Sequence, residues 1–261
     1  MWPFATRSPL QRDDEEWQLE TWRWLLEVLG GIPDLKLRPF VVPTKDFFPP
    51  TEAQGHDRAL HVFDRVRDLM GMGDWHCRLV PQPEAPDAKV SEVAFLKFDD
   101  NGRSPAGTYG REGNEVVITY DPKLADDPVG LVATFAHELS HDLLSTRPEP
   151  PGGWDNHEVC TDLCVAYSGF GLFGAATAFR YYSGATSWGY QKSGYLSQAE
   201  WTFALAVFFA LRGQSMEDGQ AWLPSHLMNG VRRSMKYLSS KPELLSPMRK
   251  VTSAVADFGK H

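Results

Sequence analysis

Two histidines and a glutamate in the segment His137-Glu138-Leu139-Ser140-His141 have the residue types and the spacing to do chemistry. On a helix, residues four apart project from one face, one turn apart. Two imidazoles so placed can offer a nitrogen each to a single metal ion, and zinc accepts such ligands readily. Glu138 sits beside the first histidine and points next to such an ion rather than at it. There it can take a proton from water that zinc has acidified and later pass it to a leaving amine. The expected cofactor is one Zn2+ per chain, and the expected chemistry is hydrolysis by activated water.

A catalytic zinc takes a third protein ligand and keeps a fourth position open. The downstream candidates are Asp155, His157, Glu158, Cys160 and Asp162. Glu158 is the preferred choice because Asp162, one turn further along the same helical face, can then accept a hydrogen bond from a ligating histidine and fix its tautomer. His157 is the alternative ligand, which would leave Thr161 in that orienting place. Cys160 and Cys164 fall with Leu163 and Tyr167 on the opposite face and read as buried thiols.

The run His137 to His141, followed by a loop and then His157-Glu158-Val159-Cys160-Thr161-Asp162, resembles the thermolysin-type zincins known as gluzincins. That clan places a Glu ligand and, one turn later, an Asp on a second helix, a pattern written NExxxD. The resemblance implies a zinc metallopeptidase acting on a peptide or protein substrate. His137, His141 and Glu158 would be ligands, Glu138 the catalytic base, and Asp162 the residue that orients a ligand histidine. His157 stands where the clan has Asn, and the gap from His141 to Glu158 is shorter than in thermolysin, as in a compact member. The match spans about residues 90–170.

The tetrahedral intermediate of such a reaction also needs a donor for its oxyanion. The candidates are Tyr167, Tyr181, Tyr182, Tyr190, Tyr195 and His226. In the clan, the strand ahead of the active-site helix pairs with an extended substrate, and either 105–109 or Val116–Tyr120 suits that mode. His56, His61 and His76 lack ligand-spaced partners and read as structural or exposed. No Ser or Cys nucleophile has a recognisable elbow around it. A competing expectation keeps the zinc but not the proteolysis: a regulatory or interaction protein on a degenerate peptidase fold.

The elements that must position these residues follow from caps, breakers and periodicity. Asp13 or Asp14 can cap a helix that runs to about Leu29 and ends at Gly30. Residues 31–50 read as an extended connection. Thr51 and Gln54 form a capping-box pattern before a helix whose apolar face is Leu60, Phe63, Val66 and Met70. Strands are expected at Trp75–Val80, 90–98 and Val116–Tyr120, with a further short one at 105–109. Asp127-Pro128 opens the helix that carries the motif through Leu131, Phe135, Leu139 and Leu143, ending before Pro148. A loop from Pro148 to Trp154 precedes a helix from Asp155 or Asn156 to Gly169. Residues 168–194 form a Gly- and aromatic-rich stretch. Ser197 with Glu200 caps an apolar helix closed by Gly213, and Pro224–Tyr237 and 243–258 read as two more helices.

The implied class is α+β: a zincin-like small sheet on the motif helix, followed by a mainly helical C-terminal lobe. The expected segments are an N-terminal helix and connection (1–50), a catalytic core (51–170) and an aromatic and helical lobe (171–261). At 261 residues, 42% hydrophobic and 23% charged, the chain can bury a sizeable core. A net charge of −8 argues against a nucleic-acid surface. The basic run Arg232, Arg233 and Lys236 fits the solvated face of a helix. Three cysteines make no complete disulfide framework. The opening Met1–Arg7 has no basic end leading into an apolar run, and the apolar stretch Trp201–Leu211 is too short to span a bilayer. The expectation is a cytoplasmic protein without a membrane span.

Overall fold

The computed structural model describes residues 7–83, 106–113, 115–182 and 196–252; the side chains of 179–182 and 218 fall outside the description. In chain order the elements are α1 (Arg12–Leu29), α2 (Gly31–Leu37), α3 (Gly55–Leu69), β1 (Cys77–Pro81), β2 (Gly107–Glu112), β3 (Glu115–Tyr120), α4 (Pro128–Leu144), α5 (His157–Tyr167), α6 (Gly171–Tyr182), α7 (Gln198–Arg212), α8 (Ser225–Ser240) and α9 (Pro242–Leu245). The chain is thus mixed α+β with a small three-stranded sheet among the described residues. No helix among them is long and apolar enough to cross a membrane. Contacts group the chain into two compact units, one formed up to Val42 and again from Arg147, the other by Pro43–Thr146.

In the Pro43–Thr146 unit the sheet order is β1-β3-β2, with β1 parallel and β2 antiparallel to β3. β3 is central, and Val116 to Tyr120 are buried without a break, the burial of a strand covered on both faces. α4 begins as its sequence requires. The Asp127 side chain accepts from the Gly130 backbone N–H at 3.2 Å, and Pro128 occupies the first turn, where its missing N–H costs nothing. The apolar side of α4 packs on α3 and the sheet, with Phe135 edge-on to both Phe63 (5.4 Å) and Tyr120 (5.7 Å). β2 runs beside α4. Its Gly107 allows this approach: a Cβ there would lie 2.7 Å from Thr134 Cγ2, 2.9 Å from the Thr119 carbonyl oxygen and 3.0 Å from Glu138 Cγ.

The other unit is helical. α7 packs against α5, α6 and α8, and all but its ends are buried, as expected of a helix apolar all round. Ser197 and Glu200 form the anticipated capping box, and Gly213 closes the helix in the left-handed conformation at φ +69°. Arg232, Arg233 and Lys236 are exposed on α8.

Several expectations are corrected. α1 starts after Gln11, and Asp13 and Asp14 lie inside its first turn, where the helix dipole favours them without a cap. Part of 31–50 is helical, since Gly30 turns the chain at φ +120° and α2 follows at once. Thr51 Oγ1 accepts from the Ala53 N–H instead of capping, and α3 begins at Gly55. Leu60 is exposed, so the buried face of α3 is Ala59, Phe63 and Val66, continued by Met70. The Gly- and aromatic-rich stretch contains α6. Of the expected helix over 243–258, the described part up to 252 contains the short α9, followed by a 3-10 turn at Met248–Lys250; Pro247 removes a backbone donor there. The expected strand at 90–98 lies outside the described residues.

Replacing Ser197 with Ala is expected to cost about 1 kcal/mol in urea unfolding through loss of the cap. Gly107→Val forces a side chain against a carbonyl oxygen and is expected to cost about 1–3 kcal/mol in the same measurement.

Candidate metal centre

α4 presents His137 half-buried and His141 and Glu138 buried. The helical repeat puts the two rings 4.7 Å apart, nearly perpendicular, with their Nε2 atoms 3.1 Å from each other. Two facing ring nitrogens must share either a proton or a cation. A tetrahedral zinc with bonds of about 2.0–2.1 Å holds two nitrogen ligands about 3.3 Å apart, close to the spacing seen. Two imidazoles facing each other at that spacing fit a zinc ion, which in a catalytic site takes one further protein ligand and keeps one position for water.

Glu158 is half-buried in the first turn of α5. The chain reaches it through Gly152 and Gly153, both at φ +81°, and a 3-10 turn at Trp154–Asn156. The His157 ring lies beside the half-exposed Trp154, with centroids 5.7 Å apart. Asp162 is buried, and its Oδ2 accepts from the Leu196 N–H at 2.9 Å. Cys160 and Cys164 are buried and form no disulfide. Burial pushes the Cys160 thiol up, with Cys164 adding to the shift, which disfavours the thiolate needed for metal binding.

The remaining candidates separate on geometry. Tyr167 is fully buried. Its hydroxyl donates to Asp34 Oδ2 at 2.8 Å, and the Arg38 guanidinium lies over its ring. The Tyr167 proton is thereby held by Asp34. His226 is exposed in the first turn of α8. The side chains of Tyr181 and Tyr182, and all of Tyr190 and Tyr195, lie outside the described residues. Ser140 is buried and donates to the Ala136 carbonyl at 2.7 Å, a hydroxyl occupied by its own helix. His56 pairs with the Tyr120 hydroxyl at 3.1 Å, His61 with the Pro49 carbonyl at 3.3 Å, and His76 is exposed. Val116–Tyr120 is flanked by β1 and β2, so it has no edge for an added strand. Among the described residues β2 carries the open edge on the α4 side of the sheet.

Sequence reasoning missed one cluster. Asp142, adjacent to His141, is 1% exposed. It accepts from the Tyr109 hydroxyl at 3.3 Å, from Arg111 at 3.4 Å and from the Cys77 thiol at 3.8 Å. Burial raises the Asp142 carboxyl, and the Arg111 charge and the Tyr109 hydrogen bond oppose that rise. The Cys77 thiol is pushed up to about 12, first by burial and then by the neighbouring carboxylate, so it is no nucleophile at neutral pH. The available signal was the two-residue alternation Gly107, Tyr109, Arg111, which sends the Tyr109 and Arg111 side chains, with the bare Gly107, to one face of β2.

No protein-family model matches the chain, and nothing among curated proteins or solved structures matches it significantly.

Proposed function

We propose that the protein is a zinc-dependent metallopeptidase built on a compact zincin-like core, with His137, His141 and Glu158 as metal ligands and Glu138 as general base. The observation that carries this reading is the pair of imidazole nitrogens of His137 and His141 that face each other at 3.1 Å on α4. The buried carboxylate of Glu138 next to the first ligand favours catalysis over a purely structural site, because a structural ion has no use for it.

Zinc in this position supplies Lewis acidity toward a carbonyl oxygen and lowers the pKa of nearby water. Glu138 accepts the proton of the attacking water as the new C–O bond forms at the carbonyl carbon. The same carboxyl then gives that proton to the amide nitrogen as the C–N bond breaks, which returns Glu138 to its starting charge. Gly107 leaves the space over Glu138 free of a side chain, and the β2 edge offers backbone groups to an extended substrate. Asp162 would orient a ligand imidazole. The three cysteines form no disulfide, which supports placement in a reducing compartment.

Glu138→Gln is expected to retain about one zinc per chain by elemental analysis while peptide hydrolysis falls about 100- to 10,000-fold. Glu158→Gln is expected to lose zinc during dialysis against a mild chelator that leaves the wild type loaded. Stripping the metal from the wild type is expected to lower its Tm, since binding to the folded state alone stabilises that state. Less than about a tenth of an equivalent of zinc in folded protein never exposed to chelator would rule the reading out.

A further inference from the structure

A ligand histidine on a helix has two side-chain torsions to lose before it can bind an ion, and whatever holds its ring contributes to affinity. His141 shows what holds it on one side. The Tyr109 ring, from β2, lies nearly parallel to its imidazole, at 22° and a centroid separation of 6.0 Å, within the range of offset stacking.

Tyr109 is itself tied down. Its hydroxyl donates to Asp142 Oδ1 at 3.3 Å and accepts from Arg111 Nε at 3.1 Å, while another nitrogen of Arg111 reaches the same carboxylate oxygen at 3.4 Å. Tyrosine, arginine and aspartate therefore close a three-membered polar ring. Asp142 follows His141 directly on α4, so Tyr109 is anchored to the helix that it braces. Its backbone is set by the ladder with β3, where Tyr109 lies opposite Ile118. A tyrosine needed only for packing would not require two charged partners at its hydroxyl.

We infer that Tyr109, fixed at its hydroxyl by Asp142 and Arg111, is a positioning residue that clamps the His141 imidazole in its metal-ligating orientation. This rests on the metal-centre reading above. Arg111 is half-exposed and Asp142 buried, so the clamp is closed from the solvent side by a cation and from the protein side by an anion. The hydroxyl sits between them.

The test uses the full chain loaded with zinc or with cobalt. Tyr109→Leu removes the ring and the hydroxyl; Tyr109→Phe keeps the ring. Zinc release to a chromophoric chelator is expected to be about 10- to 100-fold faster in Y109L, the usual effect of losing a side chain that orients a metal ligand. Its cobalt d–d absorption is expected to shift. Y109F is expected to release zinc faster than the wild type but more slowly than Y109L, because the stacked ring remains while its hydroxyl anchor is lost. A folded Y109L with wild-type release and an unchanged cobalt spectrum overturns the inference, even if its Tm falls, since packing alone then accounts for the residue. Should Y109L not fold, Arg111→Met carries the test from the surface: faster zinc release supports the clamp, and unchanged release overturns it. A wild type that holds no metal would overturn the metal-centre reading and this inference with it. A wild type that holds metal alongside unaffected variants overturns the clamp alone.

Discussion

Two imidazole nitrogens facing each other at 3.1 Å cannot both be bare acceptors, because their lone pairs would repel across a partly desolvated gap. Something positive has to lie between them. That constraint follows from the pitch of α4, which puts residues four apart on one face, and it organises what surrounds the pair.

The helix that carries the pair is held by its other side. Leu131, Phe135 and Leu139 are fully buried, and Phe135 meets Phe63 and Tyr120 edge to face. Burial of this kind fixes the rotation of α4 about its axis, so the direction in which His137 and His141 project is decided by apolar contacts on the far side. β2 supports the polar side with three alternate residues of graded size. Gly107 yields space at Glu138 and Thr134, Tyr109 stacks on His141, and Arg111 reaches Asp142. A strand's two-residue repeat against a helix's four-residue spacing lets one short strand serve both functional positions.

Within the helical unit the same division of labour recurs. The face of α5 that bears Cys160, Cys164 and Tyr167 is buried, and Tyr167 is bound to Asp34, which also pairs with Arg38. The Asp162 carboxylate takes a backbone N–H from Leu196 just before the Ser197 cap of α7. The Asp162 carboxylate and the Tyr167 hydroxyl are each hydrogen-bonded, which is the condition for leaving them in a low-dielectric interior.

What could be read from the residues alone was local. The start of α4 at Asp127-Pro128, the Ser197–Glu200 capping box and the Gly213 stop each depend on groups within about one helical turn, so neighbouring letters suffice. The shared face of His137 and His141 is legible for the same reason. Local signs misled where a remote contact or a competing local bond decided the outcome. Thr51 spent its hydroxyl on Ala53, and a stretch rich in Gly and aromatics became α6 against α7. Whether Val116–Tyr120 was an interior strand or the rim of a cleft stayed open in the sequence, and the β1-β3-β2 order makes it central, since strand order depends on which segments pair and not on propensity. The Tyr109–Asp142–Arg111 ring joins positions more than thirty residues apart. Only the register of β2 on β3, and the seating of that sheet on α4, brings those groups within hydrogen-bond reach, and a one-residue slip would turn Tyr109 and Arg111 to the opposite face.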